Sequence, residues 1–140
     1  MSKSMKSLLA ICVLAAAGAA SAQEQVVNLY SARHYATDEA LYNGFTKATG
    51  IKINRVDSDD AGIMARLKAE GTASPADVIL LVDAARLYRG EADGLFLPVR
   101  SKMLEDVIPA NLRATPAADG GIAWFGLSTR ARVIVYNKAK

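Results

Sequence analysis

Nucleophiles and metal ligands are scarce in this chain. It has one cysteine, Cys12, and one histidine, His34, in 140 residues, and aromatic residues make up 6% of it. There is no G-x-S-x-G, no phosphate-cradling glycine-rich loop and no carboxylate cluster with metal-ligand spacing. With no nucleophile and base pair in view, an enzyme is not expected. The single cysteine sits inside an N-terminal apolar run and follows Ile11. Lipid attachment asks for a small residue at that place, so a lipoprotein is not expected either. Charge of one sign is also lacking, because the formal net charge is only +3.

What the N-terminus does have is order. Lys3 and Lys6 precede the apolar stretch Leu8 to Ala20, which ends on Ala20-Ser21-Ala22. Basic region, apolar region and small-residue cleavage site together read as a secretory signal peptide over 1–22. The alternative is an uncleaved anchor, but the apolar stretch falls short of the roughly 20 residues that cross a bilayer. Cleavage before Gln23 removes two lysines and no acid, which lowers the formal charge to +1. A nearly neutral remainder argues against nucleic acid as a partner. It also holds no thiol, so its stability cannot depend on disulfides.

From Gln23 onward the chain alternates between strand and helix patterns. Val26 to Tyr30 is β-prone, and Thr37-Asp38 offers an N-cap after the polar loop SARHY. Leu41, Phe45 and Ala48 share one face of a helix over 38–49, and Gly50 stops it. Ile51 to Val56 alternates like a half-buried strand. The acids Asp57, Asp59 and Asp60 lack the rest of a calcium loop and read as a solvated helix start. In the helix that follows, Ile63 and Leu67 share a face with Met64 nearby, and Gly71 closes it.

Ala76 to Val82 is an apolar run of the kind covered on both faces of a sheet. A short helix over 84–91, a surface turn at 95–98, an amphipathic segment over 101–108 and a flexible loop over 113–121 come next. Strands are predicted over 122–127 and 132–136. This order implies an open, largely parallel sheet flanked by helices on both faces, with ligands beyond the carboxyl ends of its strands. The last strand runs into VIVYNKAK without a cap or turn, which reads as an interruption; a complete small α/β protein with a frayed basic end is the other reading.

The first loop at such a strand end carries Arg33, His34 and Tyr35 in succession. Phenolate oxygen is a hard anionic donor suited to Fe3+, imidazole is a second donor, and an arginine beside them can hold a small anion. Binding by a phenol releases a proton and weakens in acid. Taken alone the triplet is a weak signal, because such residues at a loop mouth more often pack and hydrogen-bond.

The stretches VVNLYSARHYATDEALYNGFTKATGIKINRV, SPADVILLVDAARLYRGEADGLFLPV and WFGLSTRARVIVYNK resemble the periplasmic ferric-iron-binding proteins of bacterial ABC transporters. The similarity runs over essentially all of 25–138. It implies the first lobe of a type II periplasmic-binding-protein-like fold over 23–140, apparently truncated before the second lobe. The implied function is binding of ferric iron in the periplasm by a soluble monomer and its delivery to an inner-membrane ABC permease. A receptor for an oxyanion, polyamine or other small ion is the alternative.

The resemblance carries over two metal ligands, His34 and Tyr35. It places Arg33 and the segment Ser128, Thr129 and Arg130 near the site, as contacts to a synergistic anion such as carbonate or citrate or to the ligand sphere. The family draws further tyrosines, including an adjacent pair, from its second lobe. No Tyr-Tyr pair occurs in these 140 residues, and Tyr136 matches a connecting strand. Two ligands do not close an octahedral site. The fragment is therefore expected to bind iron weakly or not at all and to expose apolar surface where further elements would pack.

Overall fold

The computed structural model describes residues 25–131 and 133–138. The signal peptide expected over 1–22, with Cys12 inside it, lies outside the described residues. Three parallel strands form one sheet: β1 (Val26–Ser31) in the centre, β2 (Lys52–Asp57) on one side and β3 (Val78–Leu80) on the other. Val26 is level with Lys52 and Ser31 with Asp57, while Leu29 to Ser31 face Val78 to Leu80. The ladder continues past the strand ends, where the Ala32 amide donates to the Leu80 carbonyl at 2.8 Å and the Ser58 amide to the Ser31 carbonyl at 3.1 Å. All three carboxyl ends therefore open on the same edge.

Helices connect the strands as parallel pairing requires. The first, α1 (Asp38–Thr49), has the bounds expected, but the face read as apolar is exposed at Leu41, Phe45 and Ala48 while Asp38 and Tyr42 are buried; it ends on Gly50, whose positive φ of 73° is open to glycine without strain. The second, α2 (Asp60–Glu70), is capped by Asp59, whose carboxylate accepts from the Gly62 amide at 2.7 Å. Asp60 accepts from the Val82 amide at 3.1 Å. The acidic run is thus a helix start, as read from the sequence. Two shorter helices follow, α3 (Ala84–Ala92), capped by Asp83, and α4 (Lys102–Val107), capped by Ser101.

The core lies on one face of the sheet. Tyr30, level with Val56 and Ile79, meets Ile63, Met64 and Leu67 of α2 and is joined there by Leu81 and Leu87. The Tyr30 hydroxyl, buried with its ring, donates to Glu70 and accepts from Arg66, while Ser74 donates to the same carboxylate at 2.6 Å. A buried phenol thereby keeps its polar end satisfied and ties β1 to the end of α2. On the opposite face α1 packs against β2, with the Arg55 guanidinium 5.4 Å over the Tyr42 ring. The sheet is flanked on both faces, as the alternation of elements implied.

Four local expectations need correction. The apolar run 76–82 yields only the three-residue β3, and Val78 is exposed. As an edge strand it is covered on one face, so apolar composition overstated both its length and its burial. Leu95 and Phe96 pack on the core, and Leu97 and Pro98 alone stand out in the turn predicted to lie on the surface. The strand expected over 122–127 is reduced to isolated antiparallel bridges, Val99 to Ile122 and Arg113 to Phe125. Its neighbours are short pieces bounded by Pro98 and α4, and by a 3-10 turn (Ala110–Leu112) and Pro116, so neither ladder extends.

Residues 133–136 form no strand. Their side chains project into solvent, Ile134 at 95% exposure, with no described segment alongside to accept the backbone hydrogen bonds. β-propensity expresses itself against neighbours, and no described segment pairs with this run.

Candidate functional site

The loop between β1 and α1, residues 32–37, sits at the carboxyl end of the central strand. Ser31, fully buried, turns the chain as it leaves the sheet, its hydroxyl accepting from the Arg33 amide at 3.1 Å. The helix start is unusual. Thr37, the expected N-cap, has helical backbone angles and makes no side-chain capping bond. Instead the Asp38 amide donates to the Tyr35 carbonyl at 2.9 Å and the Glu39 amide to the Ala36 carbonyl at 3.3 Å. The carboxylate of Asp38 is thereby free to turn back into the loop.

There it meets Arg33. Nε and Nη2 of the guanidinium donate to the two carboxylate oxygens at 2.9 and 2.8 Å, a bidentate pair in which the side chains are 16% and 10% exposed. The hydrogen bond to Asp38 raises the Arg33 pKa above its usual value, and the same bond holds the Asp38 carboxyl below its own. The guanidinium carbon also lies 5.2 Å from the centre of the Tyr35 ring. The His34 ring stacks on Tyr35 from the side, centroids 5.2 Å apart and planes inclined by 25°. From the far end of the chain, Arg130 Nη1 donates to the Tyr35 hydroxyl at 2.9 Å.

Among the residues expected at the site, His34, Tyr35, Arg33 and Arg130 are therefore brought together. Ser128 and Thr129 are exposed and do not line the cleft that holds His34 and Tyr35. Arg33 is turned towards Asp38 rather than offered to an anion, which leaves Arg130 as the arginine at the phenol oxygen.

That cleft, about 700 Å³ in volume, also takes in residues that sequence reasoning missed. Asp38, Glu39 and Tyr42 enter it from α1, and Arg55 and Asp57 from β2. Arg55 bridges Glu39 and Asp57 at 2.5 and 2.8 Å, and the hydrogen bond it donates to Glu39 is the main cause of its raised pKa. The buried Tyr42 hydroxyl has no hydrogen-bond partner among the described residues. The spacing from Asp38 to Tyr42, one helical turn, was the signal for this face. Arg55 could be found only through strand register, which sets it level with Leu29 on the side facing α1.

Among the described residues there is no group of three or more histidine, cysteine or carboxylate side chains able to hold a metal. The donors that stand exposed and side by side are one imidazole and one phenol. Chemically this is a partial site for a hard, highly charged cation, or a hydrogen-bonding surface for an anion at Arg130.

Comparison with known proteins yields consistent matches. Residues 40–140 match the family of bacterial extracellular solute-binding proteins. Iron uptake protein A1 of Synechocystis is 52% identical over 118 residues, covering 84% of this chain and 31% of that protein. The Fe(3+)-binding periplasmic protein of Serratia marcescens is 34% identical over 95% of this chain and 38% of its own length. The chain thus spans about a third of the length of the curated relatives it matches. Among solved structures, the Trichodesmium protein FutA in complex with iron and citrate superposes with a TM-score of 0.64 at 46% identity, over 72% of this chain and 30% of that one.

Proposed function

Because the chain belongs to the bacterial extracellular solute-binding proteins, we propose that its role is to bind ferric iron outside the cytoplasm, with Tyr35 and His34 as ligands. The observation that carries this reading is the placement of these two donors, stacked and exposed at the carboxyl end of the central strand. Open parallel sheets bind their ligands at that edge. The iron-related names of the relatives, and the iron and citrate bound by the Trichodesmium protein, support iron over an oxyanion or polyamine as the cargo.

In this reading residues 1–22 direct export and are removed, and residues 23–140 contribute the first lobe of a two-lobed receptor in the periplasm. The receptor hands its iron to an inner-membrane ABC permease, and binding rather than catalysis is its task. Arg130 keeps the phenol oxygen in a hydrogen bond until iron arrives and then contacts a carbonate or citrate beside the metal. Two protein donors leave much of an octahedral sphere to water or such an anion, so the affinity of these residues alone is low and rises when a chelating anion is supplied.

Ferric citrate titration of the exported chain, followed in the visible range, is the test. Tyr35 bound as phenolate gives a charge-transfer band that Tyr35→Phe abolishes and His34→Ala weakens. An unchanged band in Tyr35→Phe would remove the assignment. The mass of the mature chain should correspond to a start at Gln23.

A further inference from the structure

Asp38 stands in a position that its own helix does not explain. An aspartate at the first residue of a helix ordinarily stabilises the amide end of that helix through charge or a hydrogen bond. Here the first free amides of α1 are met by the carbonyls of Tyr35 and Ala36, and both carboxylate oxygens are directed at Arg33. Asp38 is also buried, 7% exposed, in a helix whose neighbouring positions 39–41 are exposed. A surface cap would not need that burial.

Arg33 in turn is held at three points. Its amide is bound by Ser31, its guanidinium fork is closed on Asp38, and its guanidinium carbon lies over the Tyr35 ring, 5.2 Å from the ring centre. A cation fixed over a ring in this way restricts it through attraction to the ring's negative face. A second constraint comes from His34, stacked on the same ring. The phenol is therefore gripped by its ring while its oxygen remains at the cleft.

We propose that Asp38 is a positioning residue for the iron-binding phenol: it locks the Arg33 guanidinium against the Tyr35 ring and so fixes the direction of the Tyr35 oxygen. The assignment of Tyr35 as an iron ligand is the reading above, on which this rests. In consequence Arg33 is a scaffold for the ligand and takes no part in anion capture. A rotating phenol has to be ordered when iron binds, whereas a phenol already held loses little further freedom, so the pair strengthens binding without touching the metal.

The test separates positioning from stability and from iron binding. The exported chain is labelled with 3-fluorotyrosine, and the Tyr35 fluorine resonance is identified by its loss in Tyr35→Phe. In the wild type it lies well away from the resonance of the exposed Tyr88. In Asp38→Asn and in Arg33→Lys it moves towards the Tyr88 position, while the Tyr30 resonance, on the other face of the sheet, keeps its own. The charge-reversed double variant Arg33→Asp with Asp38→Arg restores an ion pair but puts a carboxylate where the guanidinium lay. It recovers melting temperature over either single reversal, yet leaves the Tyr35 resonance displaced.

If Asp38→Asn leaves the Tyr35 resonance in place, or if the double reversal returns it together with the melting temperature, the pair is only a structural brace and the proposal is overturned. Should a single variant unfold, the Tyr30 resonance reports it and Arg33→Lys, which keeps the charge, decides. Ferric citrate titration of the same samples stands apart. Loss of the iron reading would show as an unchanged charge-transfer band in Tyr35→Phe, whatever the fluorine spectra say.

Discussion

Residues 26–82 and residues 127–138 contain the same kind of material, short β-prone runs joined by polar links, and they end in opposite states. In the first region VVNLYS is the central strand, paired on both sides, and its inward side chains are covered by α2. In the second, VIVY is at least as β-prone, yet Val133, Ile134 and Val135 are 77%, 95% and 87% exposed and no ladder forms. A strand is a relation between segments, and a lone run of β-branched residues cannot satisfy its own backbone. The difference also divides the molecule's energetics, because burial stabilises the first region and contributes almost nothing in the second.

The sharpest way to break this contrast is to remove apolar volume from each side. Ile63 of α2 is fully buried against the sheet with Tyr30 and Leu81, and Ile63→Ala should lower the unfolding free energy by about 2–5 kcal/mol. Ile134→Ala should change it by less than about 0.5 kcal/mol. Urea denaturation of both variants reads the difference. Equal losses would mean that 133–136 are covered in solution and that the division is false.

A close second lies at Gly90. This glycine is buried in α3, and a β-carbon there would run into the Phe96 ring. The ring is held in the core and cannot swing away cheaply, so Gly90→Ala should cost about 1–3 kcal/mol despite alanine's better helix propensity. Gly62 is the control. There the obstructing atom is the Ser58 hydroxyl, the end of a movable side chain, and Gly62→Ala should be neutral or stabilising. Thermal melts distinguish the two, and a change at Gly90 as small as the one expected at Gly62 would show that the packing around Phe96 is looser than its burial implies.

The same contrast explains how much the sequence disclosed. Periodicity placed α1 at its bounds, and the turn acids announced the start of α2, because these signals act within a few residues. Alternation of strand and helix gave the parallel sheet. What failed was whatever depended on a distant neighbour: the trimmed β3, the isolated bridges at Ile122 and Phe125, and the unpaired 133–136. The site divides in the same way. His34 and Tyr35 could be picked out from residue type and loop position. Asp38 was read as part of a helix cap, and only the fold shows it reaching back to Arg33. Arg55 and Tyr42 were invisible until register and helical face brought them into the same cleft.

Acidification probes the polar side of the sheet region. The Glu70 carboxyl is held below its ordinary value of 4.5, first by the Ser74 hydroxyl and then by Arg66 and Tyr30, against the opposing effect of burial. A carboxyl depressed in the folded state favours folding above its ordinary value, and that contribution is lost as pH falls through the folded value. Glu70→Gln removes this dependence. Its melting temperature should fall less than that of the wild type as pH drops below 4.5, and parallel curves would place the acid sensitivity elsewhere. Asp38 and Asp93, also depressed by cationic partners, set the residual slope.

The smallest expected effect is the most informative about how the two regions communicate. Arg130 and Tyr35, ninety-five positions apart, join the end of the chain to the loop at the head of α1 through one exposed hydrogen bond. An exposed contact of this kind adds little to stability, and Arg130→Gln should shift the unfolding free energy by less than about 1 kcal/mol. Its consequence lies in motion. With the guanidinium gone nothing described ties the segment 128–131 to the cleft, so its backbone order parameters should drop while those of α1 and the sheet stay as they are. A large stability loss would instead make the last stretch part of the folded core, and unchanged order parameters would mean that another contact carries it. Either result would redraw the boundary between the paired and the unpaired region; the expected one leaves Arg130 as a tether that holds the segment to the loop through the phenol oxygen alone.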